Sequence, residues 1–217
     1  MPTTEIPVIR GNYFAEGKYL KTDVRTGVMR NRAGTRMLAL TSDFLLGLVS
    51  ALNNECGPAA TAVFRSCGRT WGKRVAERFA TEMQEYYGMP LSDFPLSQFN
   101  ACLYEMFNHH GWGKLELNLD QFTHGIIIAT VQNPIYADLL GRAEQPADAL
   151  LAGVLAGMFS YFAGQELDCL QTQCQACGHP DSKFLITVPE RLKPVLDWPT
   201  RGKTHAQIVA EVQKTRA

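Results

Sequence analysis

The chain has 217 residues, which is enough for one domain with a sizeable core or two small ones. Its 21 basic and 21 acidic residues give zero net charge, and this argues against a nucleic-acid binder, which usually shows a basic excess. The opening MPTTEIPVIRGN has no apolar stretch like that of a signal peptide, and the uncharged stretch 149–165 is shorter than a usual membrane span. These features predict a cytoplasmic protein whose six cysteines are reduced thiols.

The N-terminal part, residues 1–40, is predicted to form an extended arm over 1–12 and then two short strands. The strands are expected over 24–29 and 37–40, on either side of a turn-like Asn-Arg-Ala-Gly. A helix should follow from the N-capping residues Thr41 and Ser42 to about Asn54. Its apolar residues are predicted to be buried: Phe44, Leu45, Leu48, Val49 and Leu52.

The longest predicted helix spans 58–87, because Pro58 fits a first helical turn and glycine follows at position 88. Apolar residues recur every three or four positions and predict one buried stripe with Trp71 in its middle. The stripe comprises Ala60, Val63, Phe64, Cys67, Trp71, Val75 and Phe79. Gly68 and Gly72 indicate a close helix crossing. The charged residues from Arg65 to Arg78 indicate a solvated face, with a surface for an anionic partner as the alternative.

The middle of the chain is predicted to contain a helix over 97–108, an alternating strand over 114–119 and a continuously apolar strand over 125–131. A short helix over 135–140 and a polar loop over 141–148 follow. Between the first helix and strand lies His109-His110-Gly111-Trp112. Histidines at a helix C-terminus interact favourably with the helix dipole, and the alternative is that they form the rim of a pocket.

The most informative stretch is 153–188. It begins within a helix predicted over 149–163, in which Gly153 and Gly157 are four residues apart and allow another backbone to come close. Gly164 is expected to end this helix. Two strands over 167–173 and 183–188 then form a hairpin that carries three cysteines, Cys169, Cys174 and Cys177. A last helix is expected after Thr204, within a C-terminal extension over 190–217.

This stretch resembles the 4-vinyl reductase domain, a small-molecule-binding family related in fold to subunits of the TRAPP trafficking complex. The matching residues are Gly153, Gly157, Gly164, Cys174, Gly178 and Phe184. Three family positions differ, because a glutamate is replaced by Gln171, the last cysteine by Ser182 and an upstream cysteine by Asp148. The resemblance implies an α+β fold with helices packed on one face of an antiparallel sheet. The ligand-binding domain then spans 41–189, within one compact unit overall.

The resemblance also implies a zinc site in some family members, which here becomes Asp148, Gln171, Cys174 and Ser182. Because amide and hydroxyl groups are poor zinc ligands, we expect no stoichiometric zinc. A replacement set would be Cys174, Cys177, His179 and Asp148. In a regular strand Cys169 and Cys174 point to opposite faces, and only a bulge near Gln171 would bring them together. A redox role for the Cys-x-x-Cys pair is disfavoured, since it does not start a helix.

For function, the sequence predicts non-enzymatic binding or chaperoning of a hydrophobic small molecule in a pocket between the helix over 149–163 and the sheet. The expected pocket residues are Phe159 and Phe162 as walls, Gly153 and Gly157 as space, and Trp112 and His109 at the rim. The histidine and tryptophan are implied by relatives that sense small aromatic molecules. The sequence contains no nucleophile elbow, phosphate loop or dinucleotide fingerprint.

The resemblance makes the ligand a tetrapyrrole, an aromatic molecule or a lipid, and a role in chlorophyll or photosystem biogenesis is one expectation. Two alternatives stay open: a ligand-free protein-interaction or assembly factor, and a component of a tetrapyrrole vinyl reductase. A homodimer, a protein partner and peripheral association with a membrane are further expectations.

Overall fold

A computed structural model describes residues 11–215, apart from the side chain of Asp138. The predicted N-terminal arm lies almost entirely outside these residues. The chain first forms a small antiparallel sheet, β1 (Leu20–Asp23), β2 (Val28–Asn31) and β3 (Arg36–Met37). The sequence did not predict β1, and most of the strand expected over 24–29 is a turn. The Asp23 carboxylate closes this turn by accepting hydrogen bonds from the Arg25 amide and the Thr26 hydroxyl.

The described residues form seven α-helices, of which six were predicted, with ends that shift by at most about two residues, and the short α6 was not. They are α1 (Ser42–Cys56), α2 (Ala60–Tyr87), α3 (Leu96–His110), α4 (Ile135–Leu140), α5 (Ala149–Ala163), α6 (Pro189–Leu192) and α7 (His205–Lys214). Asp148 caps α5 by accepting a hydrogen bond from the Leu151 amide, and Thr204 caps α7 in a reciprocal pair with Gln207. None of the helices within 11–215 is long and apolar enough to cross a membrane.

The main sheet is antiparallel throughout, in the order β4-β5-β7-β6. Its strands are β4 (Lys114–Asn118), β5 (Ile127–Gln132), β6 (Asp168–Gln173) and β7 (Ser182–Thr187). The two central strands, β5 and β7, are the most apolar, as expected for strands covered on both faces. The order places the predicted hairpin of β6 and β7 beside β5, so the stretch 153–188 forms half of the sheet and the helix above it.

Two layers of helices cover the sheet, one on each face. The main core lies between one face and α2, α3 and α5. A smaller core on the opposite face joins Leu170 and Leu185 to the C-terminal segment through Leu192, Ile208 and Val212. The α+β architecture expected from the sequence is therefore confirmed, and the C-terminal extension adds a second layer of helix to it.

The closest helix contact is the crossing of α2 and α5, which four glycines make possible. A Cβ atom at Gly68 would lie 2.2 Å from the Leu150 carbonyl oxygen, and one at Gly72 would lie 2.1 Å from the Val154 carbonyl oxygen. The same holds in the other direction, because a Cβ at Gly153 or Gly157 would meet the carbonyls of Arg65 and Arg69 at 2.2 and 2.1 Å. The close approach predicted from these glycines is confirmed, and we call this contact the glycine crossing.

The glycine crossing also explains why the stripe predicted on α2 was partly wrong. The buried face of α2 runs through Phe64, Gly68, Gly72 and Phe79, so the glycines themselves lie against α5. The residues that directly precede Phe64, Gly68 and Gly72 lie at the edge of the contact with α5 and are exposed. They are Val63, Cys67 and Trp71. Trp71 is 40% exposed, which contradicts its predicted place in the core.

The prediction for α1 was wrong in a more general way. The helix forms over the expected residues, yet none of its fifteen residues is buried. Phe44 is 52% exposed and Leu48 is 39% exposed, whereas both were predicted to lie in the core. Leu45, Val49 and Leu52, the other residues predicted to be buried, are half-buried, so α1 is covered along one side only within the described chain.

The charged positions of α2 are only in part the solvated face that was predicted. Arg65 and Arg69 both bind the Asp168 carboxylate, at 2.7 and 2.5 Å, and so attach α2 to the start of β6. Further along, buried Glu82 accepts hydrogen bonds from Tyr13 at 3.1 Å, Asn31 at 2.7 Å and Thr35 at 2.9 Å. Glu82 thus holds the small N-terminal sheet against α2.

Candidate functional site

A large cavity lies between α5 and the main sheet, where the pocket was predicted, and we call it the sheet cavity. Its volume is about 810 Å³. Phe159 and Phe162 of α5 form one wall, as the sequence predicted. Leu117 of β4, Ile127 of β5 and Ile186 of β7 form part of the other wall. These strand residues share a face of the sheet, because Ile127 pairs directly with Ile186 in the register of β5 and β7.

Aromatic rings hold the helical wall of the sheet cavity in place. Phe162 makes edge-to-face contacts with Phe79 of α2 at 6.1 Å and with Phe99 of α3 at 5.2 Å, measured between ring centroids. These three rings come from three helices, so their edge-to-face contacts join α2, α3 and α5 at this wall. The mouth carries Leu96 and Phe122, which are 58% and 62% exposed. Apolar side chains therefore extend from the interior to the rim.

The polar groups of the sheet cavity are few and uncharged. Ser92, Tyr161 and Gln165 contribute to its lining, and no acidic or basic side chain does so among the described residues. A cavity of this kind favours an apolar ligand, with a small number of hydrogen bonds to fix its orientation. Leu117 and Leu119 could have been chosen from their alternation in the sequence, whereas nothing in the sequence pointed to Ala80 of α2 or Leu91.

The two glycines expected to make room for the ligand do not line this cavity. Gly153 and Gly157 lie in the glycine crossing, where the backbone of α2 fills the space above their Cα atoms. Their predicted role in the pocket was therefore wrong, because the same spacing that opens a surface for a ligand also opens it for a helix. The second interpretation of the spacing, close packing of helices, is the correct one here.

The predicted rim residues belong to a different place. Trp112 lines a second cavity of about 400 Å³, which we call the tryptophan cavity, together with Trp71, Arg78, His110 and Tyr136. Leu38, Leu40 and Leu45, from the segment before α1 and from α1 itself, contribute its outer wall. The sequence assigned Trp112, Phe159 and Phe162 to one pocket, but in the structure Trp112 lines a different cavity from the two phenylalanines.

His109 lines neither cavity. Its ring contacts Phe14 and Tyr19, at 6.0 and 5.4 Å between centroids, and its Nε2 lies 3.5 Å from the Glu105 carboxylate. His110, the neighbouring residue, lines the tryptophan cavity instead. Its Nδ1 lies 2.7 Å from the Met106 carbonyl, and burial lowers its pKa, so the ring is neutral at physiological pH.

The residues at the family's zinc positions come together in the structure but bond to one another. Gln171 accepts a hydrogen bond from the Asp148 amide at 2.9 Å and donates to the Ser182 hydroxyl at 3.5 Å. The Ser182 hydroxyl also accepts from the Gln175 amide at 3.0 Å. All four positions are buried, including Cys174. The Gln171 amide and the Ser182 hydroxyl are thus engaged in hydrogen bonds. Only the Cys174 thiol and the Asp148 carboxylate remain as strong metal ligands.

This donor set does not fit zinc, which needs about four thiolate, imidazole or carboxylate ligands in a structural site. The replacement set fares no better, because His179 is exposed while Cys174 and Asp148 are buried. A register shift between Gln171 and Gln173 is present, yet Cys169 lies in the main core and Cys174 in a separate cluster. No group of three possible metal ligands occurs within the described chain.

Burial has a marked effect on Asp148. Its side chain is 2% exposed, its Oδ1 caps α5, and its Oδ2 has no hydrogen-bond partner. Burial raises the pKa of this carboxyl to about 7. Asp148 therefore titrates near neutral pH, in a place where the resemblance implies a cysteine.

The fold belongs to the α+β class of domains, and it has a glycine-rich helix, α5, directly before the β-hairpin of β6 and β7. Residues 127–188 match the family model of the 4-vinyl reductase domain, so the resemblance to this family is confirmed for this segment. No curated protein sequence matches the chain.

Many solved structures are similar to the chain at low sequence identity, and the following one supports the same fold. The phenol-responsive sensory domain of the transcription activator PoxR, solved with phenol, matches with a TM-score of 0.63 and 20% identity, over 79% of this chain and 86% of that chain. A vinyl-4-reductase family protein from Methanocaldococcus jannaschii matches with a TM-score of 0.48 and 15% identity, over 70% of this chain and 83% of that one. A trafficking protein particle complex subunit 3 from Naegleria fowleri, covalently bound to palmitic acid, matches with a TM-score of 0.48 and 13% identity, over 67% and 93%.

Proposed function

We propose that this protein binds a hydrophobic small molecule in the sheet cavity, without converting it chemically. The observation that carries the proposal is the cavity itself: about 810 Å³, walled by Phe159, Phe162 and the apolar face of the sheet, with no charged lining residue among those described. Its size is within the range of ligand pockets that enclose drug-sized molecules. The PoxR sensory domain, whose fold is similar, is phenol-responsive and was solved with phenol, and this supports the class of ligand.

The lining favours a neutral aromatic or aliphatic molecule. The tetrapyrrole expected from the resemblance fits less well, because its carboxylates would meet no Lys or Arg, and its metal would meet no His, Cys or Met, among the described lining residues. A role in chlorophyll or photosystem biogenesis is the finer form of the proposal. A coloured protein purified from its own host would support that finer form, whereas a colourless protein with a bound hydrocarbon would favour the neutral ligand.

A pair of alanine-to-tryptophan variants tests the sheet cavity. Ala80→Trp places a large ring inside the cavity, while Ala101→Trp places the same ring on the exposed face of α3. The probe is N-phenyl-1-naphthylamine, a neutral aromatic molecule that fluoresces in apolar surroundings. We expect saturable binding by the wild type and by Ala101→Trp, and at least tenfold weaker binding by Ala80→Trp. Equal binding by all three proteins would overturn the proposal.

The alternative, a protein-interaction module, is favoured by one observation, the uncovered helix α1. Together with its neighbours, α1 presents seven exposed apolar side chains: Leu38, Leu40, Phe44, Leu46, Leu48, Val63 and Trp71. They leave on the order of 600 Å² of apolar surface, so two copies would bury on the order of 1,200 Å², where stable interfaces begin. We propose that a second copy of this chain covers α1.

The charges of α1 favour a second copy over a membrane. Asp43 and Glu55 are its only charged residues, so α1 lacks the lysines and arginines that attract amphipathic helices to anionic lipids. Because these two acidic residues lie at the ends of α1, its middle can meet its own copy across a twofold axis without like-charge repulsion. Peripheral membrane association and a different protein partner then become outcomes of the test.

Sedimentation of the wild type should show a dimer at micromolar concentration. The double variant Phe44→Glu, Leu48→Glu should be a monomer, since it adds charges one helical turn apart on α1. Val24→Glu is the control, because Val24 is 92% exposed and far from α1 in the sequence. A monomeric wild type, or vesicle binding that the double variant abolishes, would exclude the dimer through α1.

A further inference from the structure

Two cysteines lie at the ends of one tight turn, and they line neither the sheet cavity nor the tryptophan cavity. Cys174 directly precedes the 3-10 turn Gln175–Cys177, and Cys177 is its last residue. The Cys177 amide donates a hydrogen bond to the Cys174 carbonyl at 3.1 Å. A turn closed in this way brings its first and last Cα atoms within about 7 Å of each other. Disulfides join Cα atoms that are about 4.4–6.8 Å apart, so the backbone of this turn is already compatible with one.

The two thiols also share their surroundings. They belong to one small apolar cluster with four alanines, Ala137, Ala143, Ala147 and Ala176. Burial, and then the interaction with the Cys174 thiol, raise the pKa of Cys177 to about 11. Cys177 is therefore protonated at neutral pH and reacts slowly, because the thiolate is the nucleophile. A pair of this kind suits a slow response to sustained oxidation.

The two cysteines differ in exposure, and this sets the order in which they react. Cys174 is 2% exposed, whereas Cys177 is half-exposed. The next residue, Gly178, is exposed, and a Cβ atom there would meet nothing within 4 Å. A small solute can therefore reach Cys177 but not Cys174. Cys169, the nearest other cysteine in the sequence, is buried in the main core.

The turn holds the connection between β5 and α5, which runs through α4. The Asn133 amide, just after β5, donates to the Gln175 side-chain oxygen at 2.9 Å. The Ala143 amide, between α4 and α5, donates to the Ala176 carbonyl at 2.9 Å. The Gln175 amide donates to the Ser182 hydroxyl at 3.0 Å and so joins the turn to β7. The turn therefore attaches both sides of α4 to the main sheet.

We propose that Cys174 and Cys177 form a reversible disulfide, which fixes the turn 175–177 and with it the connection between β5 and α5. The sequence disfavours a redox role because the pair does not start a helix, which would lower a thiol pKa. In the structure the closeness of the two thiols favours it instead. The proposal does not depend on a ligand in the sheet cavity.

The oxidant is a low-molecular-weight disulfide, and the reaction is thiol–disulfide exchange. The Cys177 thiolate attacks one sulfur of the oxidant, the sulfur–sulfur bond breaks, and one small thiolate leaves. The Cys174 thiolate then attacks the Cys177 sulfur of this mixed disulfide and releases the second small thiolate. The two protons lost by the cysteines end on the two small thiols. Two protein thiols are thus oxidised to one disulfide, and one molecule of oxidant is reduced.

Oxidised glutathione is the probe, and mass spectrometry is the measurement. The whole protein is incubated with it, free thiols are alkylated, and the tryptic peptide 143–183 is analysed, because it contains Cys169, Cys174 and Cys177. We expect the wild-type peptide to lose two hydrogens and to carry its alkyl group on Cys169. Treatment with dithiothreitol before alkylation should restore three alkylated cysteines.

Three alanine variants separate the roles of the cysteines. Cys174→Ala should retain glutathione on Cys177, since no second thiol displaces it. Cys177→Ala should leave Cys174 unmodified, because glutathione cannot reach it. Cys169→Ala is the matched control and should form the disulfide as the wild type does. Stable glutathione on Cys177 of the wild type, a disulfide in Cys177→Ala, or an unmodified Cys177 in Cys174→Ala would each overturn the proposal.

Hydrogen exchange tests whether the disulfide fixes the connection. The oxidised wild type should exchange the amides of Asn133, Ala143 and Cys177 about fivefold more slowly than the reduced protein. Amides of α3, which is far from the turn in the sequence, should exchange at the same rate in both states. Equal rates at the three amides in the oxidised and reduced protein would overturn the structural part of the proposal.

Discussion

Helices α1 and α5 have the same length and nearly the same lack of charge, yet they end in opposite surroundings. Each has fifteen residues, and α5 has no charged residue while α1 has two, at its ends. Nine residues of α5 are buried and none of α1 is. An apolar helix sequence therefore indicates that the helix will be buried against something, but it does not identify the partner. In α5 the glycine spacing allows α2 of the same chain to be that partner.

The largest effect expected from this comparison concerns glycine. Gly157→Ala places a Cβ 2.1 Å from the Arg69 carbonyl, so the glycine crossing must widen, and we expect a loss of about 3 kcal/mol or more. Gly47→Ala is the matched control in α1, where a Cβ meets nothing within 4 Å, and it should stabilise by about 0.5–1 kcal/mol. Urea unfolding measures both, and similar values for the two variants would contradict the close contact.

A leucine pair gives the next largest effect. Leu155 of α5 is fully buried, so Leu155→Ala should lower the free energy of unfolding by about 2–5 kcal/mol. Leu48 of α1 is 39% exposed, and Leu48→Ala should cost below about 1 kcal/mol at concentrations where the chain is monomeric. A large cost for Leu48→Ala that persists on dilution would mean that α1 is covered within one chain.

The smallest effect concerns Asp148, the residue that caps α5. Its folded pKa of about 7 is above the usual 3.8, so the folded state retains a proton that the unfolded chain loses. Stability from this group is therefore complete at pH below about 4, decreases as the pH rises to about 7, and is then constant. Asp148→Asn still accepts the Leu151 hydrogen bond, and it should gain about 1–2 kcal/mol relative to the wild type between pH 4 and pH 8.

Unfolding free energies of the wild type and of Asp148→Asn, measured across this range, give the difference directly. A difference that stays constant from pH 4 to pH 8 would mean that the carboxyl titrates at its ordinary pKa in the folded protein.

Much of the fold could be predicted because its signals are local. The period of 3.6 residues identified α2 and α5, the alternation at Leu115, Leu117 and Leu119 identified β4, and glycine at 164 ended α5 as expected. The N-terminal β1 gave no such signal, since all four of its residues are exposed. Periodicity also cannot separate a buried position from one at the edge of a contact, which is why Trp71 was misplaced.

The candidate sites were less predictable because they depend on residues far apart in the sequence. Phe159 and Phe162 were identified from a local pattern, but Phe99 and Ala80 reach the same cavity only through the packing of α3 and α2. Tyr136 of α4 and Arg78 of α2 line one cavity, yet no sequence signal joins them. The same crossing explains why Gly153 and Gly157 serve packing and not the ligand.

The glycine crossing also has a consequence for how the chain folds during synthesis. The contacting residues of α2 and α5 are roughly 85 positions apart, so α2 leaves the ribosome well before its partner exists. Until then its glycine-lined face and Phe64 and Phe79 stay exposed, and loop closure over that distance slows the encounter. The nascent chain should therefore bind holdase chaperones until α5 emerges.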